Sequence, residues 1–180
     1  MVHASPLEYA LIGLLKQKAQ SGYDLRKQFS TTPMRHFSDS PGSIYPALRR
    51  LESRHWLSAA KENDGRQRQL FRVTKTGEHA FITWLKQPPT REDVIWRAGE
   101  VMLRFAFQSG NVPPSVTQQF LEVLETELTA YVRELREFAQ QSGLAKHSST
   151  GALAFACGVE GYEAQLAWAK RARKVMEARS

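Results

Sequence analysis

Apolar residues recur every three or four positions through most of the chain, which is the spacing of one face of an α-helix. A short example spans residues 40–57, where an apolar stripe lies opposite a row of polar and aromatic positions. The stripe consists of Ile44, Ala47, Leu48 and Leu51. The pattern predicts a helix here with one buried and one exposed face.

The start of this helix can be placed in two ways. Proline lacks an N–H and clashes with the preceding turn, so Pro46 fits best in the first turn, with Ser43 as the N-cap. Alternatively, Ser40 is the N-cap and Pro41 begins an irregular turn that leads into the helix. In both cases, backbone N–H groups near Gly42 and Ser43 point outward, where a phosphate could approach.

Two other helices are predicted before this one. Ser5 and Pro6 suit the N-cap and first position of a helix that ends near residues 17–20. A turn and a second helix over residues 23–29 follow, and a loop over residues 31–39 leads to the striped helix. This order of elements is the core of a helix-turn-helix domain.

A β-hairpin, or wing, is predicted after the striped helix. Residues 57–62 and 69–73 are expected to form two strands, joined by an Asn-Asp-Gly turn at residues 63–65. Thr74 or Thr76 can then cap a further helix. The polar tip of the hairpin carries Arg66, Gln67 and Arg68.

The Pro-Pro pair within residues 87–90 marks a boundary between domains at residues 1–87 and 88–180. The second domain is predicted to be entirely helical. Its last two helices carry long apolar stripes at spacings of three and four, which favour coiled-coil-like packing. They either pack on each other within one chain or meet a second chain. The first predicted helix spans residues 92–108. The second follows Pro113-Pro114 and ends at Ser142-Gly143, and the third follows a cap region at residues 148–150 and runs to near the end of the chain.

The charge of the chain is concentrated in the first domain. Residues 1–87 hold 14 Lys and Arg against 7 Asp and Glu, a net charge of +7, whereas residues 88–180 hold 11 of each. Opposite the apolar stripe lie Tyr45, Pro46, Arg49 and Ser53, with Arg50 on the flank. A basic and aromatic face on a short helix is typical of a helix that enters the major groove of DNA.

Other kinds of protein are disfavoured by the composition. No apolar run approaches the roughly 20 residues that a membrane span requires, and the first residues do not resemble a signal peptide. The single cysteine, Cys157, excludes an intrachain disulfide, fits a reducing cytoplasm and is expected in packed core. The five histidines lack metal-ligand spacing, and no phosphate-binding loop or nucleophile elbow is present. We therefore expect no enzyme activity, no cofactor and no metal.

Three stretches of the chain resemble, in the same order, the PadR family of bacterial transcription regulators. They are SGYDLRKQF at residues 21–29, GSIYPALRRLE at residues 42–52 and RQRQLFRVTKTG at residues 66–77. The resemblance implies a mainly α fold with a small β-hairpin, namely a winged helix-turn-helix followed by a helical dimerisation domain. It also implies a homodimer that represses transcription, and in such regulators a small effector often relieves the repression.

The DNA-binding side chains are expected to act in three groups. Tyr45, Pro46 and Arg49 would contact base edges or the groove floor. Ser43, Arg50 and the backbone amides near Gly42 would hold phosphates. Arg66, Gln67 and Arg68 in the wing would contact the neighbouring backbone or the minor groove. Effector residues do not carry over from the family; a pocket lined by Trp96, Phe105 or Tyr162 is one hypothesis, and aromatic core is the other. The alternative function is a winged-helix protein-interaction or assembly module without specific DNA binding.

Overall fold

The protein was analysed as a computed structural model, which describes residues 4–36, 40–61, 69–144 and 148–178. Two compact units, Met1–Leu85 and Lys86–Ser180, make up the chain. The first unit contains α1 (Pro6–Gln17), β1 (Gln20–Ser21), α2 (Gly22–Thr31), a 3-10 helix (Pro33–His36), α3 (Pro41–Ser53), β2 (Leu57–Lys61), β3 (Gln69–Val73) and α4 (Lys75–Leu85). The second contains α5 (Arg91–Trp96), α6 (Ala98–Ala106), α7 (Pro114–Gln141) and α8 (Thr150–Glu177). The predicted fold class, mainly helical with a small antiparallel sheet, is confirmed.

Serine side chains begin the first two helices. At α1, the Glu8 N–H donates to Ser5 Oγ at 3.3 Å and the Ser5 N–H donates to Glu8 Oε2 at 2.7 Å. Ser21 and Asp24 form the same reciprocal pair at the start of α2. These bonds satisfy N–H groups that have no partner within the helix, so the predicted cap at Ser5 is confirmed.

The N-cap of α3 is Ser40, whose Oγ accepts the Gly42 N–H at 3.2 Å. The assignment of Ser43 as the cap is therefore wrong, and Pro41 is the first helical residue. Pro46 lies inside the helix, where it removes the hydrogen bond to the Gly42 carbonyl. Gly42 is exposed, so water can hydrate that carbonyl and the cost of this proline is reduced.

The small sheet has the strand order β1-β3-β2 and is antiparallel throughout. β2 and β3 pair from Leu57↔Val73 to Lys61↔Gln69, which confirms the predicted hairpin. The proposed tip residues Arg66, Gln67 and Arg68 lie outside the described residues, as do the predicted turn and the last residue of the first predicted strand. Sequence analysis missed β1, whose two residues pair with Phe71 and Leu70.

The core of the first unit lies between the helices and the sheet. All four residues of the α3 stripe are buried, as predicted, and Tyr9 stacks on Trp84 with ring centroids 4.1 Å apart. Burial of one face on this core fixes which face of α3 remains exposed. The largest fully buried side chains here include Leu11, Ile12, Leu25, Phe29, Ile44, Leu48, Leu51, Phe81 and Trp84.

One tight junction joins α3, the hairpin and α4. His55, in the turn after α3, has a φ of 57°, and its carbonyl accepts a hydrogen bond from the Thr74 hydroxyl at 2.7 Å. The Trp56 carbonyl accepts the Thr74 N–H at 3.0 Å. Thr74 Oγ1 also accepts the Gly77 N–H at 3.1 Å, so Thr74 is the cap of α4. A side chain at Gly77 would place its Cβ only 2.2 Å from the Trp56 carbonyl oxygen.

The predicted continuous helix over residues 92–108 is wrong, because the chain leaves helical geometry at Arg97 and forms α5 and α6. The buried side chains of Asp93 and Arg104 meet across this break at 3.1 Å. Eleven residues of straight helix would separate them by about 16 Å. Arg104 also donates to the Gln87 carbonyl at 3.0 Å. The ion pair therefore requires the chain to fold back at this point.

Helices α7 and α8 pack against each other within the chain, which is one of the two alternatives that the sequence left open. Their shared core contains Phe120, Leu124, Leu128 and Ala169, as the apolar stripes predicted. Farther along the predicted α7 stripe, Phe138 is exposed, and most described positions of α8 are exposed or half-buried. Cys157 is exposed, so its placement in packed core is wrong. Among the described residues, no helix is long and apolar enough to span a membrane.

Candidate nucleic-acid interface

The exposed face of α3 carries the side chains that the sequence assigned to DNA. Arg49 is exposed and Tyr45 retains 38% of its accessible surface, whereas Pro46 and Ser43 are half-buried. Gly42 and Arg50 are also exposed. A rigid helix therefore presents a hydroxyl and a guanidinium on one side while its apolar stripe is held in the core.

Tyr45 lies against the start of α2. A Cβ built on Gly22 would lie 2.6 Å from Cε1 of the Tyr45 ring, closer than side chains approach each other in proteins. Only glycine leaves room for the ring at this point. The approach of α2 to α3 thus sets the position of Tyr45 beside the first turn of α2.

Tyr23 is a candidate interface residue that sequence analysis did not assign. It retains 63% of its accessible surface and lines a cleft of about 470 Å³ with Tyr45, Gln69 and Phe71. Tyr23 is spaced three and four residues from the exposed Arg26 and Lys27, so all three lie on one face of α2. That spacing was the available signal, because a tyrosine on a basic helical face is unusual for a merely solvated surface.

Arg50 has a partner within the first unit. Its Nε donates to Glu8 Oε1 at 2.8 Å, and Arg54 Nη1 lies 3.5 Å from Glu8 Oε2. Burial by itself would raise the pKa of the Glu8 carboxyl. The Ser5 N–H and the two arginines outweigh that effect and hold its pKa below the usual value. Glu8 is therefore an anion beside α3 at neutral pH.

The base of the wing adds polar surface to the same unit. Gln69 and Arg72 on β3 are exposed, whereas Phe71 between them faces the core. Exposed basic side chains of the described first unit are found on α2, α3 and β3, among other elements. They include Arg26, Lys27, Arg49, Arg50 and Arg72.

The second unit contains an apolar cavity of about 460 Å³, whose wall includes Trp168, Met102 and Gln165. The three aromatic residues proposed for an effector pocket are absent from its lining. Trp96 retains 80% of its accessible surface, and Phe105 and Tyr162 pack against the core of this unit. Among the described residues, no group of His, Cys, Asp and Glu could hold a metal ion.

Comparisons with known proteins agree with the resemblance in the first unit. Residues 11–82 match the model of the transcriptional regulator PadR-like family. The negative transcriptional regulator PadR of Bacillus subtilis (strain 168) is 28% identical over 106 residues, which cover 57% of this chain and 57% of that protein.

Two solved structures of Bacillus subtilis PadR are also similar to the chain. The complex with operator DNA is 20% identical with a TM-score of 0.43, covering 96% of this chain and 99% of that one. The complex with p-coumaric acid is 20% identical with a TM-score of 0.40, covering 98% of each.

Proposed function

Because residues 11–82 match the model of the PadR-like family of transcriptional regulators, we propose that the chain is a sequence-specific DNA-binding regulator. This family consists of regulators and not enzymes, in agreement with the absence of a catalytic motif in the sequence. The single observation that supports DNA binding best is the exposed face of α3. Tyr45 and Arg49 lie there, on a helix fixed by its buried stripe, in the half of the chain that holds the entire net charge of +7.

In this proposal, α3 enters the major groove. Arg49 donates to a base edge, for which the two N7 and O6 acceptors of guanine are the best match to a guanidinium. Tyr45 and Pro46 contact neighbouring base edges or the groove floor. Phosphates are held by Ser43 and Arg50, and the wing residues Arg66, Gln67 and Arg68 reach the adjacent backbone or minor groove. The expected phosphate contact of the Gly42 amide is wrong, because that N–H donates to Ser40 Oγ.

We propose further that the protein acts in the cytoplasm as a homodimeric repressor. One winged helix reads few base pairs, and a two-fold dimer places two reading helices about one DNA turn apart. The second unit exposes several large apolar side chains that a second copy would cover. They include Trp96, Phe138, Leu153 and Val175.

A small effector is best accommodated by the cavity beside Trp168. The wall is almost entirely apolar, and Gln165 is its one polar residue among those that line it. Such a wall favours an uncharged aromatic or aliphatic compound, because a buried carboxylate would lack a cationic partner. Quenching of Trp168 fluorescence by a neutral compound, and not by its carboxylate analogue, would test this site.

DNA binding is tested by selecting duplexes from a random-sequence pool with the full chain. Fluorescence anisotropy then compares the selected duplex with a scrambled duplex of equal length at several salt concentrations. We expect the selected duplex to bind at least about 10³-fold more tightly. Arg49→Ala should cost about 1–3 kcal/mol on the selected duplex and much less on the scrambled one.

Arg171→Ala is the matched control, because it removes an exposed arginine from α8 in the second unit. It should leave the preference for the selected duplex unchanged. Absence of any preference in the unmodified chain would contradict the proposal and favour the protein-interaction alternative.

A further inference from the structure

A buried carboxylate lies behind the exposed face of α3. The Glu8 side chain retains 3% of its accessible surface, whereas that of Arg50, 42 residues away in sequence, retains 51%. Glu8 Oε1 accepts the Arg50 Nε–H at 2.8 Å, and Oε2 accepts the Ser5 N–H at 2.7 Å. Arg54 Nη1 lies 3.5 Å from the same Oε2. One carboxylate thus joins α1 to the second half of α3.

This arrangement leaves part of the Arg50 guanidinium available for another acceptor. The group carries five N–H donors in one plane, and the bond to Glu8 uses the single donor on Nε. Among the described residues, Arg50 has no second ion pair. Two arginines share one carboxylate, so the cluster retains one positive charge. A half-exposed, oriented guanidinium with surplus charge is a suitable ligand for a phosphate.

Stability alone does not account for the pair. Water screens the half-exposed Arg50 end of the pair, which limits the contribution of the pair to folding. The capping bond from Ser5 requires only an acceptor, which a glutamine side chain also provides. What the carboxylate adds is a fixed direction for Arg50, which directly follows Arg49 along α3.

On the basis of the proposed function, we propose that Glu8 is a positioning residue for DNA binding. Its carboxylate holds Arg50 so that the remaining guanidinium edge meets a phosphate at the flank of the groove while Arg49 reads a base. Glu8 itself touches no DNA and acts through Arg50. Glu8 should therefore strengthen DNA binding through Arg50, although a negative charge near DNA by itself weakens association.

The test compares two variants that change charge equally. Glu8→Gln and Glu78→Gln each remove one negative charge from the first unit, and Glu78 pairs with Lys16 in a contact that does not involve α3. On the selected duplex, Glu8→Gln should weaken binding by about three- to tenfold, the effect of one well-oriented charged hydrogen bond. Glu78→Gln should bind as tightly as the unmodified chain or more tightly.

Arg50 variants separate positioning from a structural role. Arg50→Ala should reduce the slope of log affinity against log salt by about 0.9, the value for one phosphate. In the Arg50→Ala background, Glu8→Gln should no longer weaken binding. Arg50→Lys keeps the charge but lacks the Nε–H, so it should keep most of the salt slope and still lose affinity.

Circular dichroism and thermal unfolding first establish that each variant is folded at the assay temperature. If Glu8→Gln is not folded, Arg50→Lys carries the test, and wild-type affinity for that variant overturns the inference. Equal affinities for the Glu8→Gln and Glu78→Gln variants also overturn it, as does a loss of affinity caused by Glu8→Gln that persists without Arg50. A different result contradicts the proposed function, namely that the unmodified chain does not prefer the selected duplex to the scrambled one.

Discussion

Replacing Gly77 with alanine tests the junction between α3, the hairpin and α4. The added Cβ would lie 2.2 Å from the Trp56 carbonyl oxygen and 2.9 Å from the carbonyl carbon and Cα of that residue. These are backbone atoms and cannot rotate away as a side chain could. An ordinary contact of 3.4 Å requires the oxygen to retreat by about 1.2 Å. That movement disturbs the hydrogen bond that the same carbonyl accepts from the Thr74 N–H.

The expected cost combines three terms. Overpacking of this kind costs about 1–3 kcal/mol, and weakening one hydrogen bond adds about 1 kcal/mol. Alanine recovers at most about 1 kcal/mol through its higher helix propensity, and less in a first turn. Gly77→Ala should therefore lower the free energy of unfolding of the first unit by about 2 kcal/mol. For a unit of this size, that corresponds to a fall in Tm of about 10 °C.

Urea unfolding of the full chain, followed by circular dichroism and tryptophan fluorescence, measures this change. Gly151→Ala is the matched control, because it also lies in a first helical turn and its Cβ would meet only Ser149 Oγ, at 4.0 Å. The control should be neutral or slightly stabilising. An unfolding midpoint for Gly77→Ala within error of the unmodified chain would refute the reasoning, since the close approach would then be relieved without cost.

Two further predictions concern charge and backbone conformation. Burial raises the pKa of Asp93, but the Thr90 N–H, Arg104 and Arg97 together lower it below its usual value, so the unfolded chain binds more protons in acid. The stabilising contribution of Asp93 should be complete above its ordinary pKa and lost as pH falls through the lowered value, and urea midpoints measured against pH should show this. Asp93→Asn should abolish that part of the pH dependence and destabilise the unit by about 3–5 kcal/mol, because it removes the carboxylate that pairs with the buried Arg104. A pH-independent midpoint in the unmodified chain would contradict it. His55→Gly should raise the free energy of unfolding by about 0.5 kcal/mol. Glycine accepts the positive φ without strain, and this gain exceeds the larger entropy that glycine loses on folding. A lower unfolding midpoint in urea would contradict this prediction.

Local signals in the sequence predicted much of the first unit. The Ser-Pro start of α1 and the stripe of α3 both depend on residues within one or two turns of each other. The start of α3 was harder, because Ser40 and Ser43 each precede a proline and both are good caps. Only the distance from Gly42 N to Ser40 Oγ decides between them. A rule against proline inside helices favoured the wrong serine, since Pro46 is tolerated in the second turn.

Features that depend on distant residues were not predictable from these patterns. The strand at Gln20 and Ser21 exists only because β3, some fifty residues later, supplies its partner. The break at Arg97 depends on the meeting of Asp93 with Arg104, which apolar periodicity does not encode. In the candidate site, the exposure of Tyr45 and Arg49 followed from the helical pattern. The attachment of Arg50 to Glu8 did not, because the two residues belong to different helices.

The central place of β3 in the sheet has a consequence for how this module can diversify. β3 is paired along one edge with β2 and, at Leu70 and Phe71, along the other with β1, which directly precedes α2. These pairings hold the two strands that flank residues 62–68. Insertions or deletions there should be tolerated far better than elsewhere in the unit. Descendants of one ancestral scaffold could thus exchange this segment freely, and acquire new operators, while the helix that reads bases keeps its place.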